Sequence, residues 1–168
     1  MGQNSRHTYG LTMGTIKSGL VKGTGLSYTT TVTTAGMING KYVTTLGAQT
    51  NAAVPTTDCA TGLPFVAMAT KKATVFVMGQ TAAGAIQMCQ GSVVDTELGI
   101  TTTAGAFISA PQFPTLPDDF MVLGYALVRT APSMSTSWTL GTSAWAATGV
   151  TTSEFVQCGV LPDRPQIS

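Results

Sequence analysis

Thirty of the 168 residues are threonine, and no other feature narrows the fold as much. A β-branched side chain is stiff at χ1, which costs freedom in a helix but suits the pleated surface of a sheet. The chain is therefore expected to build strands. No stretch keeps the i, i+3, i+4, i+7 apolar spacing of an amphipathic helix. The nearest approach is a short turn at 142–148, where Ala144, Ala146 and Ala147 cluster.

Strand patterns recur along the chain. In Leu26–Thr34, LSYTTTVTT, residues Leu26, Tyr28, Thr30, Val32 and Thr34 share one face. Asn39-Gly40 lies between two β-prone runs and predicts a hairpin, because a type I′ turn needs positive φ at both central positions. Further strands are expected over Phe65–Thr70, Thr74–Met78, Ala85–Gln90, Met121–Thr130, Ser135–Leu140 and Phe155–Val160, with a polar turn at Lys71-Lys72. Residues 47–64 read as a loop from their Pro, Gly and Asn content. The three prolines of Ser109–Asp119 exclude a central strand and predict an extended crossover between sheets. Many short strands separated by turn signals predict an all-β fold, a jelly-roll-like antiparallel sandwich. The length fits one domain. We assign residues 23–168 to it and residues 1–22 to an extended N-terminal arm anchored by Tyr9, Leu11, Ile16 and Leu20.

Charge is scarce. Asp, Glu, Lys and Arg make up 9% of the chain and sum to a net charge of +1. That argues against a nucleic-acid partner, which requires a concentrated basic face. No apolar run approaches the length of a membrane span, and the opening residues lack the apolar core of a secretion signal. A chain made in reducing cytosol with no membrane partner is expected. The odd set Cys59, Cys89 and Cys158, without a CxxC pair, then reads as three free buried thiols. A surface of Thr, Ser, Ala and Gly lacks the charge that usually keeps a protein soluble. Partner subunits are expected to cover much of it.

Catalytic groups are few. His7 is the only histidine and falls in the arm, so neither a metal site nor a nucleophilic triad is expected. Asp118-Asp119 reads as solvated, as does Asp95 with Glu97, and Gly23-Thr24-Gly25 lacks the setting of a dinucleotide loop. No cofactor is expected. Trp138 and Trp145 read mainly as packing residues, with a sugar-stacking platform as the alternative. Lys71-Lys72 reads as a guard against edge-to-edge pairing.

One resemblance adds to this. Gln90-Gly91, then Pro111-Gln112-Phe113-Pro114-Thr115-Leu116-Pro117-Asp118-Asp119, then Val122-Leu123-Gly124-Tyr125-Ala126-Leu127-Val128 resemble a pattern of tailed-bacteriophage virion proteins. In it a proline crossover precedes an apolar strand. The Ile38–Lys41 hairpin is similar to those of small head-decoration and fibre modules. The resemblance implies a non-enzymatic virion protein that decorates or cements the capsid, a homotrimer on the capsid surface with the major capsid protein as partner. The alternative is a tail-fibre or receptor-binding module for a host glycan. The resemblance concerns a scaffold and carries over no functional residue.

Overall fold

The computed structural model describes residues 11–98 and 102–166. Among them the chain forms twelve strands and no helix. These are β1 (Met13–Gly14), β2 (Val21–Lys22), β3 (Ser27–Thr30), β4 (Gly36–Ile38), β5 (Lys41–Tyr42), β6 (Gln49–Ala53), β7 (Lys72–Gln80), β8 (Ile86–Gln90), β9 (Val94–Asp95), β10 (Met121–Thr130), β11 (Val150–Thr152) and β12 (Val156–Gln157). All named strand pairs are antiparallel. The fold is all-β, as the threonine content requires. Its strands divide six, three and three among the sheets β11-β10-β7-β8 (with β9 and β12), β2-β3-β6 and β1-β4-β5.

The long pair β7 and β10 organises the molecule. Both read as nearly continuous apolar runs because both faces of this pair are covered. Phe76 and Met78 of β7 point to one face, with Met121, Leu123, Ala126 and Val128 of β10. Val75 and Val77 point to the other, with Val122, Tyr125 and Leu127. Leu123 and Tyr125 lie two apart yet face opposite ways, so the alternation breaks between them. A β-bulge causes it: the register runs Val122↔Gly79 and then Gly124↔Met78, inserting one residue into β10.

The first face meets the two small sheets and the segment between β10 and β11. Leu20, Tyr28, Ile38, Val43 and Val54 pack there beside Trp138, Leu140 and Trp145. Five rings run through it in sequence, Phe65, Phe76, Trp138, Trp145 and Phe155, with neighbouring centroids 5.7–6.0 Å apart. Such tilted and edge contacts suit the ring quadrupole. The second face is covered by chain outside the strands. Phe113 and Leu116 of the crossover lie on it, with Phe107, Cys59, Cys158 and Leu161. The C-terminal segment is fixed there by Gln166, whose N–H donates to Tyr125 Oη at 3.0 Å.

Several expectations hold. Asn39 (φ 52°) and Gly40 (φ 76°) form the two-residue turn between β4 and β5, and β10 spans the residues read from the sequence. Ser109–Asp119 contains no strand, but it joins β9 to β10 within the six-stranded sheet and does not cross between sheets. Residues 142–148 form successive turns rather than a helix.

Other expectations are corrected. Residues 47–64, expected as a loop, contain β6, which pairs with β3 through Ser27↔Ala53 and Tyr28↔Ala52. Phe65–Thr70 and Ser135–Leu140 form no ladder and meet only in the single bridge Met68↔Trp138. The boundary at residue 22 does not hold either. Met13↔Met37 and Val21↔Thr29 stitch the first segment into both small sheets, and Leu20 is 0% exposed in the core. Leu20 is therefore a core residue and not an arm anchor; burying its side chain on the first face outweighs anything an exposed position offers. Finally, Cys59 and Cys89 are joined in a disulfide, so only Cys158 is a free thiol. The loop carrying Cys59 lies along β8, where the Cα atoms of the pair are 4.9 Å apart, a separation no sequence spacing reveals.

Candidate functional site

The N-terminal strap Leu11–Lys17, the entry to β10 and the chain after β12 converge on one side of the molecule. The strap is held by backbone pairing. Gly40 N–H donates to Leu11 O at 3.0 Å and Thr15 N–H to Ala35 O at 2.9 Å, while Thr12 Oγ1 accepts from Asn39 N–H at 3.0 Å. On its other side Gly14 N–H reaches Gly159 O at 3.3 Å. Gly36, Gly14 and Gly159 thus stand side by side on three neighbouring segments. A Cβ at Gly36 would strike Met121 Sδ and Met13 O, and one at Gly159 would lie 2.5 Å from Gly14 O. Only glycine permits the strap to lie this close to β10.

Two adjoining depressions flank this crossing and share Val122 and Gly159. The larger, about 260 Å³, is lined by Thr12, Leu116, Phe120, Val122, Gly159, Val160 and Leu161, none of them ionisable. The smaller, about 100 Å³, adds Ile16, Lys17, Gln157 and Cys158. Burial pushes the Cys158 thiol above its ordinary range, which keeps it protonated and weakly nucleophilic at neutral pH. Ile16 and Val160, which line these depressions, are 52% and 62% exposed, and Leu11, next to Thr12 on the strap, is 55% exposed. The arrangement can bind apolar surface and offer short stretches of backbone; its ionisable lining is Lys17 and the protonated Cys158 of the smaller depression, with no carboxylate or histidine among the lining residues.

The residues singled out in the sequence fall as follows. Leu11 and Ile16 lie on the strap with exposed side chains, and Leu20 is buried away from it. Tyr9 and His7 lie outside the described residues. Asp118 and Asp119 are exposed, and an Asp119 oxygen accepts from Ala82 N–H at 2.8 Å, bracing a turn. Asp95 pairs with Lys72 at 2.6 Å across the β7–β9 ladder, while Glu97 is solvent-exposed. Gly25 (φ 66°) serves a turn before β3. Lys71 (φ 56°) turns the chain into β7.

Trp138 and Trp145 are 2% and 3% exposed, and their indole N–H groups donate to Ala144 O at 2.8 Å and Ser27 O at 2.9 Å. They are packing residues and form no platform for a sugar.

Sequence reasoning missed one cluster. Asp58, 7% exposed, lies beside Cys59 and Cys89, with the three sets of ligand-type atoms within 4.8 Å of one another. Its carboxylate is already engaged, accepting from Ala60 N–H (3.1 Å), Gln90 N–H (3.2 Å) and Thr61 Oγ1 (3.1 Å). With both sulfurs in a disulfide, the cluster holds a loop and offers no thiolate to a metal. A lone Asp-Cys dipeptide 30 residues from the second cysteine gave no signal of it.

The chain matches no protein-family model, no curated protein and no solved structure.

Proposed function

We propose that the protein is a non-enzymatic virion structural protein that decorates or cements a phage capsid, attaching through the strap and groove of Leu11, Ile16, Leu116 and Val160. The observation that carries this reading is that exposed Ile16 and Val160 and half-buried Leu116 line two adjoining depressions, the larger with no ionisable lining, while exposed Leu11 lies on the same strap. Exposed apolar groups gathered at one place mark a binding surface more often than scattered ones do. The resemblance of the proline crossover to virion proteins points the same way, and Leu116 of that crossover lines the groove. The low charge fits a surface that neighbours cover. The partner would be the major capsid protein, the assembled form a homotrimer, and the location the outer capsid surface. A stable attachment would bury on the order of 1,000 Å² or more.

The experiment is co-sedimentation with bare phage shells. Ile16→Glu with Val160→Glu should abolish decoration while leaving thermal stability nearly unchanged, because both side chains are already in water. Unchanged decoration by this variant would refute attachment at the groove. Mass spectrometry of virions gives the copy number, and hundreds per particle are expected for a decoration protein.

A further inference from the structure

We propose that the Cys59–Cys89 disulfide is a redox-operated latch, holding the loop from Val54 to Met68 over the outer edge of β8. Strand β8 ends the sheet order β11-β10-β7-β8, so its far side would present unpaired backbone groups. Its ends are anchored in the core by Val54, Phe65 and Met68, and between them the loop covers that edge with few contacts. Cys59 N–H donates to Met88 O at 2.8 Å, Asp58 forms a single parallel bridge to Met88, and Gln90 clasps Val66 through N–H and C=O bonds of 2.7 and 3.1 Å. No ladder replaces these if the covalent link opens.

The two sulfurs differ in access. Cys89 is 0% exposed, whereas Cys59 is half-buried on the loop side. A low-molecular-weight thiolate therefore attacks Cys59 Sγ, forming a mixed disulfide there and releasing Cys89 as the leaving thiolate, which takes up a proton. A second small thiol then attacks the mixed disulfide. The balance is one protein disulfide and two small thiols giving two protein thiols and one small disulfide. Reoxidation by a small disulfide runs the same steps in reverse. The chain would be unlatched in a reducing compartment and latched in an oxidising one, and the β8 edge would be uncovered only in the first.

Hydrogen exchange read by mass spectrometry, on the full chain with and without dithiothreitol, tests this. Thiol counting in denaturant comes first: one alkylated cysteine is expected before reduction and three after. On reduction, the segments carrying the Cys59 and Gln90 amides should exchange at least tenfold faster, while central β7 and β10 keep their protection. The melting temperature should fall by roughly 10 °C, from the entropy of the opened loop. Cys59→Ser should reproduce the reduced pattern without reductant, and Cys158→Ser should behave as the parent chain. Since the parent chain is itself reduced in the assay, a poorly folding variant does not remove the test. Three reactive thiols before reduction, unchanged exchange after complete reduction, or equal loss of protection in β7 and β10 would each overturn the latch.

Discussion

The two faces of the central sheet share the strands β7 and β10 but are covered by different kinds of chain. On the first face regular strands and a run of five aromatic rings meet Phe76, Met78 and Leu123. On the second, Val75, Val77, Tyr125 and Leu127 lie under a proline-rich crossover, a terminal segment and a disulfide-held loop. The small sheets satisfy their backbone through ladders and the buried rings lock the segments that lack them, so the first cover resists deformation as a unit. The second relies on separate side-chain contacts and single hydrogen bonds, and such cover opens locally at lower cost. The apolar groove lies where this looser cover, through Leu116 and Leu161, meets the strap. What stabilises the protein and what is offered to a partner are thus built on different parts of it.

The largest expected effect lies on the first face. Trp138→Ala removes a fully packed ring and leaves the Ala144 carbonyl without its indole donor, and should cost about 3–5 kcal/mol in chemical denaturation. Phe113→Ala, on the half-buried crossover, should cost about half as much or less; equal losses would erase the difference between the faces. Second comes the disulfide. Opening a link between residues 30 apart should cost about 3–4 kcal/mol, the loss centred on the loop that Cys59 holds against β8.

The third effect is alkaline and separates the faces by pH. Burial raises the Tyr28 hydroxyl on the first face and the half-buried Cys158 thiol beside the groove. In each case the unfolded chain loses its proton first. The neutral folded form therefore contributes stability below the ordinary range of the group, and this is lost as pH rises through it. Decline should begin in the thiol range and deepen in the tyrosine range. Cys158→Ser should remove the early part alone, and Tyr28→Phe the later part, in melts taken across that range. The smallest effect on stability is that of Leu11→Glu, within about 0.5 kcal/mol for a side chain already in solvent.

How much of this was legible follows the same division. Strand β10 and the Asn39-Gly40 hairpin could be read because each carries a local signal, an apolar run or a pair of residues suited to positive φ. The faces of β10 were not read, since the bulge at Val122/Gly124 reverses the alternation and its one mark in MVLGYALVRT, the isolated Gly124, does not say which residue is inserted. Strand β6 was hidden because QTNAA, exposed at several positions on a sheet edge, has the composition of a loop. Phe65–Thr70 and Ser135–Leu140 had strand composition but pack through rings and lack ladders. For Leu20 and for Cys59 with Cys89, the deciding partners are distant in sequence, so burial and pairing emerged only in three dimensions. At the candidate site Leu11 and Ile16 were found from the sequence, whereas Val160 and Leu116 were brought to them by the fold.

The central claim is that the protein attaches to a shell through the groove while the strand-covered face serves only stability. Hydrogen-exchange footprinting of the protein alone and bound to bare phage shells tests it most directly. The account predicts slowed exchange at residues 11–17, 115–122 and 157–161 on binding, with the interior of the first face unchanged. Slowing elsewhere without these segments, or no binding to shells at all, would contradict it.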